Sequence, residues 1–137
     1  MKSMETFASI QAMARFCRQW LNDALSSLPA GRFFNIALSG GSTPAALFDA
    51  LVALEKDAVS AGQPGLPWQT IRFFWGDERC VSPEDLDSNY RMTKVHLLDP
   101  LEIPNDQVHR IRGENDPLCE VKRYRDLLQT MLPLTGG

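Results

Sequence analysis

The sequence predicts an α/β fold, a Rossmann-like parallel sheet flanked by helices, and three observations carry that reading. Two short apolar segments, residues 33–38 and 71–75, have the length and composition of buried strands. A long apolar-periodic stretch, residues 44–61, lies between them. Strand, helix, strand is a βαβ unit, which implies parallel pairing and a right-handed crossover. The first strand also runs straight into Ser39-Gly40-Gly41-Ser42-Thr43-Pro44. The glycines let the backbone turn and present bare N–H groups, and the residues after them suit a helix start.

Taken in order, residues 3–28 read as one amphipathic helix. Ile10, Ala14, Cys17, Leu21, Ala24 and Leu28 recur at spacings of three and four, and Met13, Trp20 and Leu25 widen the stripe. Pro29-Ala30-Gly31 ends it, and the first strand follows. Ser42 and Thr43 offer N-cap hydroxyls, and Pro44 suits the first helical position because it has no N–H to leave unpaired. The second helix continues to about residue 61, where Gly62-Gln63-Pro64-Gly65-Leu66-Pro67 breaks it. The aromatic strand 71–75 leads into a loop, residues 76–87, dense in Asp, Glu and Arg. Ser88 or Asp87 caps a third helix, residues 89–98, and residues 107–111 form a short third strand. Asp116 as N-cap and Pro117 as first helical residue open a fourth helix. Its apolar face is Leu118, Val121, Tyr124, Leu128 and Met131, with Leu132 beside it. The breakers Pro133 to Gly137 follow and call for another strand, so the sheet is expected to be incomplete at its C-terminal end.

A chain of 137 residues accommodates one domain, spanning 1–137, with a real core. Hydrophobic residues make up 44% and charged residues 23%, as in ordinary globular proteins. The net charge of −3 and the absence of a basic run argue against a nucleic-acid or membrane-surface partner. Three widely spaced cysteines, Cys17, Cys80 and Cys119, fit neither a disulfide framework nor a zinc site. With no signal-peptide core near Met1 and no apolar run of spanning length, a cytoplasmic location is expected.

Chemistry concentrates at two places. The glycine turn supports two readings, a tight capped βα turn or a phosphate cradle fed by free N–H groups and the helix dipole. It is neither a Walker loop nor a nucleophile elbow. Ligands of parallel sheets sit beyond the C-terminal strand ends, so Asp77, Glu78 and Arg79 should face the glycine turn. A carboxylate there is a candidate base, and Arg79 a candidate clamp for an anion. His96 in the third helix and His109 in the third strand are the two histidines, and neither has a carboxylate partner visible in sequence.

Leu38-Ser39-Gly40-Gly41-Ser42-Thr43-Pro44, then Phe73-Phe74-Trp75-Gly76-Asp77-Glu78-Arg79, then Asp87-Ser88-Asn89-Tyr90 resemble the 6-phosphogluconolactonase family, which shares its fold with glucosamine-6-phosphate deaminases. Asp-Glu-Arg rather than the deaminases' Asp-Glu-Tyr favours the lactonase side. The resemblance implies hydrolysis of 6-phosphoglucono-δ-lactone in the pentose phosphate pathway, without a cofactor or a metal. Gly40, Gly41, Ser42 and Thr43 would bind the sugar phosphate, Arg79 would hold its anionic end, and Asp77 would lie at the reacting centre. Family members continue into a Gly-x-Asp-Gly-His-x-x-Ser-Leu-Phe-Pro motif whose histidine activates water, and this sequence lacks it. The chain therefore resembles the first half of a longer lactonase, expected to be inactive alone and to self-associate through an exposed sheet edge. An amino-sugar-phosphate isomerase/deaminase and a non-catalytic sugar-phosphate-binding module are the other classes in view.

Overall fold

The computed structural model describes residues 4–132. Helix α1 is Ile10–Ser26, strand β1 Phe34–Leu38 and helix α2 Ser42–Ser60. Strand β2 is Ile71–Trp75, helix α3 Asn89–Thr93, strand β3 Val108–His109 and helix α4 Pro117–Met131. The three strands are parallel in the order β1-β2-β3, with Phe34 opposite Ile71, Leu38 opposite Trp75, and Phe73 opposite Val108. The α/β class and the parallel sheet are as the sequence predicts.

Alternation builds the core. Phe34, Ile36 and Leu38 of β1 and Ile71, Phe73 and Trp75 of β2 pack against α1 and α2, where Ala14, Leu21, Leu25, Phe48, Leu51 and Val52 are buried. On the other side of β1, Asn35 and Ala37 are exposed. Among the described residues β1 pairs only with β2, which leaves its second edge open. One carboxylate is buried in this core: Glu55 of α2 accepts Arg18 Nε at 3.1 Å and the Leu66 N–H at 2.5 Å, so it fastens both α1 and the returning loop. Burial pushes the Cys17 thiol up, and Cys17, Cys80 and Cys119 are all free.

Several boundaries differ from the sequence reading, each for a local reason. Helix α1 starts at Ile10, because Ser9 caps it by accepting the Ala12 N–H at 3.1 Å, while Phe7 folds back onto Phe16 with ring centroids 5.1 Å apart. Residue 3 of the expected helix, and the breakers 133–137, lie outside the described residues. Trp20 is half out of the apolar stripe, 53% exposed, and meets Phe34 edge-on. The third helix keeps α geometry only to Thr93 and continues as a π-helical turn, Lys94–Leu98.

The third strand is two residues long rather than five. Gln107 is spent before it, its side-chain amide donating to the carbonyls of Trp68 and Ile71. Beyond it, Tyr124 of α4 replaces the missing strand. Its hydroxyl accepts the Trp75 N–H at 2.9 Å and lies at the same distance from the Trp75 carbonyl. The expected apolar face of α4 is therefore corrected: Tyr124 and Glu120 are buried, whereas Leu118 is 83% and Val121 55% exposed. Glu120 accepts the Arg112 N–H at 2.8 Å and a two-pronged grip from Arg123. Polar anchoring, not apolar packing, turns that side of α4 inward.

Arg123 holds the Glu120 carboxyl down to about 2, against a burial effect in the other direction and with help from the Arg112 N–H. A carboxylate lowered on folding contributes its stability above the ordinary value near 4.5, and loses it as pH falls towards 2. Urea unfolding should therefore show Glu120→Gln less stable than the parent at pH 7, with the gap closing between about pH 5 and pH 2. A gap that stays constant across that range would contradict the assignment.

Candidate functional site

The C-terminal ends of β1 and β2 lie side by side, with the Gly76 N–H bonded to the Leu38 carbonyl at 2.9 Å. From β1 the chain enters the glycine turn. Gly41, not Ser42 or Thr43, is the N-cap of α2, at φ +114°. Only glycine reaches such a backbone without steric cost. The Ala45 N–H closes the first turn onto the Gly41 carbonyl at 3.3 Å. This corrects the expected capping. Ser42 and Thr43 already belong to the helix, and Pro44 is its third residue. Their hydroxyls are exposed and make no hydrogen bond among the described residues. The first-turn N–H groups are likewise free, as at any helix start lacking a side-chain cap.

Gly40 is required for a different reason. The Asn89 side chain packs onto it so closely that a Cβ at Gly40 would overlap the Asn89 amide oxygen. Asn89 is 4% exposed, and its Nδ2 donates to the Asp77 carbonyl at 3.3 Å. One amide thus touches both the glycine turn and the segment after β2, the two walls expected to face each other.

Glu78 holds Asn89 there. Its carboxylate accepts the N–H groups of Arg79 at 2.8 Å, Asn89 at 2.7 Å and Tyr90 at 3.0 Å, and the Ser88 hydroxyl at 3.0 Å. The Ser88 oxygen in turn accepts the Arg91 N–H at 3.1 Å, which makes Ser88 the N-cap, as expected. Glu78 is therefore committed to the start of α3 and is not available as a base. Asp77 is exposed, with its backbone carbonyl held by Asn89.

Arg79 does not face the glycine turn as the sequence predicts: it is exposed and lines, with Glu78, a different space. This groove of about 1030 Å³ runs beneath α4 past Tyr124, Val121 and Leu128, and the glycine-turn residues do not line it. The histidines lie elsewhere. His96 Nδ1 is 2.7 Å from Asp49 of α2, a carboxylate partner 47 positions away in sequence. His109 stacks on Phe74 at 5.0 Å, and burial, then Arg72, hold it below the ordinary histidine range. Sequence reasoning missed Asn89 as a wall of the site and Glu78 as its anchor. Asp87-Ser88-Asn89-Tyr90 was visible as a motif, but only the fold shows where it lands. Among the described residues no group of three or more His, Cys, Asp and Glu side chains could hold a metal ion.

An uncapped helix start and an acidic segment, side by side at the carboxyl end of a parallel sheet, define an α/β protein of the Rossmann-like kind. The chain belongs to the family of glucosamine-6-phosphate isomerases/6-phosphogluconolactonase, whose pattern matches residues 5–136. It is 42% identical over 99 residues to a 6-phosphogluconolactonase of Haemophilus influenzae, covering 72% of this chain and 40% of that protein. Against a 6-phosphogluconolactonase of Treponema pallidum it is 42% identical over 102 residues, covering 74% and 39%. The crystal structure of devB protein superposes with a TM-score of 0.78 at 32% identity, covering 96% of this chain and 52% of that one. The chain thus spans about 40% of the length of the curated relatives it matches.

Gly40→Ala should unseat Asn89, and Gly41→Ala should strain the cap. Nuclear magnetic resonance of Gly40→Ala should show shifts at Asp77, Asn89 and Tyr90 amides with the core of α1 unchanged. Shifts confined to residues 39–42 would contradict the packing described.

Proposed function

We propose that this chain is the sugar-phosphate-binding part of a 6-phosphogluconolactonase, which hydrolyses 6-phospho-D-glucono-1,5-lactone by water attack on the lactone carbonyl. One observation carries the reading: the start of α2 leaves its N–H groups and the Ser42 and Thr43 hydroxyls unspent beside Asp77. In this proposal Gly40, Gly41, Ser42 and Thr43 hold the phosphate. Arg79, which lines the groove under α4 and not the glycine turn, is proposed to help hold the anionic end of the substrate, and Asp77 to lie at the reacting centre. Residues 1–137 act as one domain, in the cytoplasm, and the open edge of β1 allows self-association. No helix of the described residues is long and apolar enough to cross a membrane.

Binding and turnover are separable here. Several N–H donors and two hydroxyls supply charge-assisted bonds of about 1.5–3 kcal/mol each, enough for micromolar to millimolar affinity. Hydrolysis also needs a positioned acid or base. Glu78 is committed to α3 and His109 is stacked on Phe74. The exposed Asp77 carboxylate has no hydrogen-bond partner to position it among the described residues, and His96, oriented by Asp49 at Nδ1, meets α2 about two turns beyond the glycine turn. That supports a chain that binds substrate and turns it over slowly or not at all.

Calorimetry with 6-phosphogluconate should show saturable binding, weakened about tenfold in the Ser42→Ala/Thr43→Ala double variant. Lactone hydrolysis should not exceed the spontaneous rate. Hydrolysis abolished by His96→Ala would place the base within this chain. Ammonia release from glucosamine 6-phosphate would move the assignment to the isomerase/deaminase side.

A further inference from the structure

A second cavity, of about 320 Å³, lies between α3, β3 and α4. Tyr90, His109, Arg110, Arg112, Arg123 and Leu127 are among its lining residues. Gly40 to Thr43, Asp77 and Arg79 do not line it, and Arg112 is the one residue it shares with the groove lined by Arg79 and Glu78. Three arginines line this one small space in a chain of net charge −3.

Two of them are held from behind. Arg110 gives Nη1 and Nη2 to Glu114 at 2.9 and 2.6 Å, and its guanidinium lies 5.4 Å from the Tyr90 ring centre. Arg123 gives Nε to Glu120 and Nη2 to Glu120 and to the Arg110 carbonyl. Neither Glu114 nor Glu120 lines the cavity. Arg110 Nε, Arg123 Nη1 and the whole Arg112 guanidinium have no acceptor among the described residues. The carboxylates thus orient two guanidinium forks and leave donors over, while the Arg112 guanidinium makes no hydrogen bond among the described residues and only helps, by its charge, to lower the Glu114 carboxyl. Planar forks with spare donors match the oxygens of a phosphoryl group. His109 adds a ring wall rather than a charge, because burial and Arg72 keep it below its ordinary range.

We propose that this cavity binds the phosphoryl group of a small phosphate-bearing metabolite, with Arg112 as its principal contact and Arg110 and Arg123 as flanking donors. Its volume lies at the low end of ligand pockets, about 300–1,000 Å³, which fits a sugar phosphate and excludes a dinucleotide. The site shares no lining residue with the glycine turn or Asp77, and the Ser42 and Thr43 hydroxyls separate its test from that of the lactone site.

Arginine Nε–Hε resonances of the whole chain, titrated separately with inorganic phosphate, glucose 6-phosphate and glucose, test this directly. Saturable shifts at Arg110 and Arg112 are expected with the two phosphates and not with glucose. Arg112 is exposed, so Arg112→Ala spares the core, and it should weaken binding about tenfold or more. Arg112→Lys should recover part of the loss, and Ser42→Ala/Thr43→Ala should leave the shifts intact. Tighter binding of glucose 6-phosphate than of inorganic phosphate assigns a sugar phosphate, and equal binding assigns the free anion. Absence of saturable shifts, shifts unchanged in Arg112→Ala, or shifts lost in the Ser42→Ala/Thr43→Ala variant would overturn the proposal.

Discussion

One carboxylate, that of Glu78, joins the sheet to the helix that walls the site. It is the third residue after β2 and accepts hydrogen bonds from Arg79, Ser88, Asn89 and Tyr90. An anion at a helix N-terminus satisfies donors that otherwise have no partner and also meets the favourable end of the dipole. Helix α3 is only five residues long before its π-helical turn, too short to hold its place by propensity. Glu78 therefore fixes where α3 begins, and the nine-residue excursion between Arg79 and Asp87 is closed by it.

The rest of the site depends on that closure. With α3 anchored, Asn89 sits on Gly40 and holds the Asp77 carbonyl, so turn and acidic segment share one contact. Helices α2, α3 and α4 each follow a strand of this parallel sheet, and α2 differs from the other two, the start of α4 being capped by the Asp116 carboxylate. The start of α3 is filled by the protein's own anion, whereas the start of α2 is capped only by a glycine backbone and keeps its donors. That asymmetry singles out α2 as the end that can receive a ligand. On the far side, Tyr124 and Glu120 do for β3 and α4 what Glu78 does here, using polar groups to pin an element whose Leu118 and Val121 lie exposed.

Much of this was legible from periodicity and turn chemistry. The order of three strands and four helices, their parallel pairing and the Ser88 and Asp116 caps follow the sequence reading, while several boundaries do not. These features depend on neighbours within a few residues, which a sequence displays. Helix α1 begins late because one Ser9 hydroxyl outweighs a continuing pattern. The inward side of α4 was misread because Glu120 and Tyr124 are buried by partners 8 and 49 positions away. For the same reason Glu78 read as a possible base, when its partners Asn89 and Tyr90 spend it on structure. The Asp49 partner of His96, 47 positions distant, was equally invisible.

The central claim is that Glu78 clamps α3 and, through Asn89, sets the glycine turn. Amide hydrogen exchange of Asn89 and Tyr90 in Glu78→Gln tests it most directly, because a neutral amide keeps the size but loses the charge and two lone-pair directions. Protection at both amides should fall about tenfold or more relative to the parent, with Phe73 and Phe74 of β2 unaffected. Unchanged protection at Asn89 and Tyr90 would show that α3 holds its position without Glu78, and would contradict the account.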